Sequence, residues 1–121
     1  MKMESLGNWL KAKFKDYDNW LICGNYFCHK TATISDWATV GDGATVGDGA
    51  IFEKSPLQIQ GSKHLICQYN NNGEIAVGCE IYHINEWILN YKEIGRNSGY
   101  SKMECEEYFK YFIFIKEFLG I

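Results

Sequence analysis

A period of six residues constrains this chain more than any other feature of it. The units Ile34-Ser35-Asp36-Trp37-Ala38-Thr39, Val40-Gly41-Asp42-Gly43-Ala44-Thr45 and Val46-Gly47-Asp48-Gly49-Ala50-Ile51 each begin with an aliphatic residue and carry alanine four residues on, and Phe52 opens another. An α-helix repeats at 3.6 residues and an alternating strand at two, so a period of six suits neither. It suits a coil whose short strands are joined by tight turns, each corner taking one inward side chain and one small residue. The four glycines from Gly41 to Gly49 supply the turn conformations. Projected backwards, the same register pairs Cys28 with Ala32, Ile22 with Tyr26 and Asp16 with Trp20, so the period starts early but with bulky residues where small ones belong.

Pro56 ends the repeat, because it cannot donate to a continuing ladder. Leu57 to Gly61 and His64 to Tyr69 read as strands, and Asn70-Asn71-Asn72-Gly73 as a hairpin turn in which Asn-Gly takes positive φ. The returning strand, Glu74 to Ile84, places Ile75, Val77, Cys79, Ile81 and His83 on one face and is apolar enough on the other for both faces to be covered. Asn85 is the expected N-cap of a helix over 86–94 that stops at Gly95. Ser101-Lys102-Met103-Glu104 is a capping box that opens a second helix running to about Leu119. Tyr108, Phe112, Ile115 and Leu119 form one stripe on it, and Tyr111, Phe114, Phe118 and Ile121 a second. Two such stripes are more than one small domain hides, which predicts a subunit interface.

The chain has 121 residues, room for one compact unit. Lys plus Arg is 12 and Asp plus Glu 15, a formal charge of −3 with no basic block, which argues against nucleic acid as a partner. Aromatic residues are 16% and charged residues 22%, too apolar for disorder. The five cysteines cannot all pair, the first twenty residues lack a secretory apolar core, and the apolar run Tyr111 to Ile115 is closed by Lys110 and Lys116. These features predict a cytoplasmic protein with free thiols and no membrane span.

The three clear units resemble the hexapeptide-repeat family. The resemblance implies a short left-handed parallel β-helix of about two coils, three units to a triangular coil, capped by a β-hairpin and a C-terminal helical hairpin. Residues 1–56 are then the repeat with its degenerate N-terminal coil, and 57–121 the hairpin and two-helix region of the same compact unit. Homotrimers or higher oligomers are what the family leads one to expect. The full-length layout is also similar to small phage and prophage proteins, which often antagonise host defence by binding a host protein or by sequestering a nucleotide signal.

Several residue sets invite chemical readings. Cys23-x4-Cys28-His29 resembles half a zinc site, with Cys67, Cys79, His64 and His83 in reserve, but closely spaced ligand pairs are missing and buried thiols explain Cys28 and Cys79. Asp36, Asp42 and Asp48 lie on different faces of a triangular coil, with vertical neighbours such as Gly24 under Asp42 and Lys30 under Asp48; they read as solvated turn acids rather than a calcium site. Related acyltransferases use a histidine base at a subunit crevice, a place His29 or His64 could occupy. The one concentration of donors beside an aromatic is Lys63, His64, Arg96, Asn97 and Tyr100, where cations could clamp phosphate and Tyr100 stack on a base. The expected function is therefore a non-enzymatic homo-oligomeric binding protein with no metal or cofactor, holding a nucleotide-derived signal at these five residues at a subunit boundary. The alternatives are a minimal acyltransferase and a structural trimer that binds a host defence protein.

Overall fold

A computed structural model describes residues 17–23 and 26–121. A 3-10 turn (Tyr17–Asn19) leads into β1 (Trp20–Cys23), β2 (Tyr26–His29), β3 (Thr33–Ile34), β4 (Thr45–Val46) and β5 (Ile51–Phe52). Four further strands follow, β6 (Gln58–Gln60), β7 (Leu65–Gln68), β8 (Glu74–Val77) and β9 (Glu80–His83), then helices α1 (Ile84–Asn97) and α2 (Lys102–Leu119).

The expected two-coil left-handed parallel β-helix is not the fold. The described residues form three small sheets, a mixed β1-β2-β4, a parallel β3-β5 and an antiparallel β6-β7-β8-β9. Among the described residues, parallel pairing is confined to two short patches that bring the degenerate upstream segment onto the clear units: Phe27 and Cys28 lie on Thr45 and Val46, and Thr33 and Ile34 on Ile51 and Phe52. Where the first coil was expected, β1 runs antiparallel to β2, with Trp20 opposite His29 and Cys23 opposite Tyr26. The reason is size. Trp20 stands at a position that needs a small residue, and its indole is buried against Phe27 and Tyr69 instead. Ala44 and Ala50, at the same repeat position, are buried where a larger side chain would not fit. The remainder of the expected N-terminal coil, residues 1–16 with Gly24 and Asn25, lies outside the described residues.

The antiparallel meander is the middle layer. Cys67 on β7 and Ala76 on β8 face Trp20, Phe27 and Ala44 on one side, while Ile66, Ile75 and Val77 face the helices on the other. That alternation is the period of two, with both faces covered. The single returning strand expected from Glu74 to Ile84 is two strands, because Gly78 takes φ +57 and turns the chain between Val77 and Glu80. Cys79 consequently sits exposed in the turn, not inward. At the preceding turn, Gly73 alone has positive φ, +87. Asn70 braces that turn, its Oδ1 accepting from Asn72 N at 2.9 Å and its Nδ2 donating to Glu74 Oε1 at 2.7 Å.

His83, not Asn85, caps α1, its Nδ1 accepting from the Asn85 N–H at 3.1 Å. The helix also passes through Gly95 to Asn97, where close packing against Cys105 favours a residue without a Cβ, and the left-handed glycine is Gly99. The Ser101–Glu104 capping box forms as read, and α2 ends on left-handed Gly120. Tyr108, Phe112 and Ile115 are buried among Trp87, Ile75 and Ile66, with Leu119 partly buried beside them; Phe114, Phe118 and Ile121 of the second stripe are exposed.

Gly73→Ala is expected to destabilise the fold by about 1–2 kcal/mol, the left-handed penalty for an L-residue, with further cost because a Cβ would press on the His83 ring. Urea unfolding should show a lower midpoint at unchanged slope.

Candidate functional site

Tyr108 sets the geometry of a region where polar groups converge beside a cavity. Its ring is buried in the core, and its hydroxyl accepts from the backbone N–H groups of Lys63 (3.0 Å) and His64 (2.6 Å) while donating to the His64 carbonyl at 2.8 Å. Gly61 lies so close to the Tyr108 ring that a Cβ there would overlap it. Nearby, Glu107 accepts from Ser62 N (3.0 Å), Ser62 Oγ (2.5 Å) and Tyr111 Oη (2.7 Å), and the hydroxyl bonds hold its carboxyl below the usual range. Helix α2 thereby fixes the β6–β7 turn, which carries Lys63 and His64.

His64 reaches from that turn to the α1–α2 connection. Its Nδ1 lies 2.5 Å from Tyr100 Oη, and the two rings stack at 5.6 Å with 30° between planes. Burial, then the Lys63 charge, lowers the His64 pKa, so the neutral imidazole is favoured. Burial likewise raises the Tyr100 phenol, with Tyr108 adding to the effect. Lys63 Nζ donates to the Gly99 carbonyl at 2.9 Å, sits 5.0 Å from the Tyr100 ring centre and lies 3.9 Å from Glu104.

Two cavities meet at His64 and Cys79. The first, of about 330 Å³, is walled mainly by Trp87, Tyr91, Tyr100, Tyr108 and Phe112, with Asn97 and Ser98 at its rim. The second, of about 470 Å³, takes Lys63, Gln60, Asp42 and Thr45 into its walls. Gly78 belongs to the partition, since a Cβ there would lie 3.1 Å from His64 Cγ.

Of the five residues singled out in the sequence, Lys63, His64, Asn97 and Tyr100 surround this pair of cavities within one chain. Arg96 does not join them; it lines a separate groove with Lys92 and Lys102, and its Nε donates to the Lys92 carbonyl at 3.3 Å. Tyr100 lies in place but is already stacked by His64. Tyr108, Trp87 and Cys79 were not legible as site residues, because a core stripe and a strand position look the same in sequence whether or not a cavity opens beside them.

The other candidates lie elsewhere. His29 is buried with its Nδ1 2.8 Å from Thr31 Oγ1, which in turn donates to Asp48 at 2.5 Å, and Trp20 packs edge-on against the imidazole. This joins the repeat turns and lines neither cavity. The Cys23 and Cys28 sulfurs are 3.0 Å apart, and burial followed by the bond to Cys23 pushes the Cys28 thiol up to about 12. No group of three or more metal-ligating side chains occurs among the described residues. No described helix is long and apolar enough to cross a membrane. In comparisons with known proteins, no family model, no curated protein and no solved structure matches this chain.

Tyr108→Phe is expected to cost about 1–3 kcal/mol in denaturant unfolding, because two backbone N–H groups lose their acceptor. For His64 the folded pKa lies below the ordinary 6.5, so the unfolded chain binds more protons as the pH falls through that value. Stability should therefore be fully present above about pH 6.5 and decline below it, and a thermal-melt pH series on His64→Gln should lose that part of the decline.

Proposed function

We propose that this protein is a non-enzymatic, homo-oligomeric binding protein that sequesters a small, partly aromatic, nucleotide-derived ligand across the two adjoining cavities. One observation carries the reading: an aromatic-walled cavity of about 330 Å³ adjoins one of about 470 Å³ that has Lys63 and Gln60 in its walls, the two sharing His64 and Cys79. Both volumes fall within the range of roughly 300–1,000 Å³ usual for small-molecule sites. A planar base suits the first cavity, where its edge can bond to the neutral imidazole and Asn97. A phosphate or ribose suits the second, beside Lys63 and Gln60. Binding would draw Lys63 away from the Gly99 carbonyl, an exchange of one charge-assisted hydrogen bond for a stronger one. Arg96 has no part in this arrangement.

Sequestration needs a site that binds without converting. The His64 imidazole is committed at Nδ1 to a phenol whose pKa is raised, so its hydrogen-bonding partner is not a strong proton acceptor. In this reading the protein acts in the cytoplasm of a host cell, as a phage-type antagonist that lowers the free concentration of a defence signal.

Protein purified from bacterial cells and analysed by native mass spectrometry is expected to carry a phosphorylated small molecule, released unchanged on denaturation. In titrations against a panel of cyclic and linear nucleotides, Lys63→Ala and His64→Ala should each weaken binding about tenfold or more, and Arg96→Ala should leave it unaltered. Conversion of the released molecule, or full affinity in Lys63→Ala, overturns the proposal.

A further inference from the structure

The exposed face of α2 is built to be covered. Met103, Glu106, Lys110, Ile113, Phe114, Glu117 and Phe118 are all exposed, and at 100° per residue they fall within one arc of the helix. Phe118 is 63% exposed, Phe114 51% and Ile113 41%. Together these three side chains show roughly 300 Å² of apolar surface, within the range of the greatest single patch on a typical monomer. The Phe114 and Phe118 rings stack on each other at 5.9 Å.

The two halves of this face are different and complementary. The C-terminal half projects Phe114 and Phe118. The N-terminal half carries a shallow groove of about 430 Å³ between Met103, Glu106, Lys110 and Tyr111, with an almost wholly apolar lining. A surface with knobs at one end and a groove at the other matches a second copy of itself when the two helices run antiparallel. The charges select the same orientation: reversing the helix about the midpoint between Ile113 and Phe114 brings position 110 opposite position 117, lysine against glutamate, once on each side of the two-fold axis. A parallel pairing in register would set Lys110 on lysine and Glu117 on glutamate instead.

We propose that α2 pairs antiparallel with α2 of a second copy of this chain, seating Phe118 of the partner subunit in the Met103–Tyr111 groove and pairing Lys110 with Glu117 of the partner subunit. This deepens the homo-oligomer reading by naming its contact, and it replaces the trimer expected from a β-helix with an isologous pair. Apolar area from both copies comes to roughly 600 Å², and with the lysine and glutamate stems and Met103 the contact has the size of a weak, reversible interface, below the roughly 1,200 Å² of stable ones. Both cavities lie on residues outside this face, so dimerisation leaves them open.

Sedimentation equilibrium of the ligand-free, full-length chain should give a dimer that dissociates on dilution. Phe118→Asp should weaken it at least about a hundredfold, since the loss occurs at two symmetric places. Lys110→Glu and Glu117→Lys should each weaken it about tenfold by setting like charges together, and the double swap should restore it. Circular dichroism melts of these surface variants should match the parent. A monomer at all concentrations, a trimer, or a double swap no better than the single ones overturns the proposal. Because association is read without ligand, these results are independent of whether the cavities bind a nucleotide.

Discussion

A single phenol hydroxyl holds the site region together. Tyr108 reaches from the buried side of α2 to two backbone N–H groups and one carbonyl of the β6–β7 turn. Without it the turn would keep polar backbone groups beside an apolar core with no partner, a costly arrangement in a low-dielectric environment. With it, Lys63 and His64 are fixed against α2, His64 meets Tyr100, and the partition between the cavities acquires its shape. The interaction belongs at once to folding and to the candidate site.

The meander gives that contact its frame. Because β7 and β8 alternate Ile66, Ile75 and Val77 toward the helices with Cys67 and Ala76 toward the repeat, one small sheet serves two cores. Close approaches on both sides depend on absent side chains. Gly47 lies under the Tyr69 ring and Gly61 under Tyr108, so either layer would be displaced by a methyl group. The helices cover one face and the paired hexapeptide strands the other, which leaves the β7–β9 end and the α1–α2 turn as the place where two layers part and space remains.

Legibility varied with the range of the interaction. The Ser101–Glu104 capping box and the two stripes of α2 depend on residues a few positions apart, and they were readable. The N-cap of α1 was misplaced by two residues, because a histidine ring nitrogen can serve where Asn85 has the better propensity. Of the site, Lys63, His64, Asn97 and Tyr100 could be singled out by chemistry alone, but Arg96 was grouped with them on sequence proximity to Tyr100 and lies on another groove. Helical rotation separates the neighbours Arg96 and Asn97 by 100°.

The sequence by itself determined the local units: where glycine must turn, where alanine must be small, where helices begin, and that α2 carries more apolar surface than its own chain can hide. These follow from sterics and hydrogen bonding over a few residues. Only the tertiary structure decided that the repeat pairs in two-residue patches instead of winding through two coils, because the Trp20 indole found room in a core built partly by Tyr69, far along the chain. It likewise decided which of the two α2 stripes is core and which is surface. Those outcomes depend on volumes and partners contributed from distant segments, which no local pattern encodes.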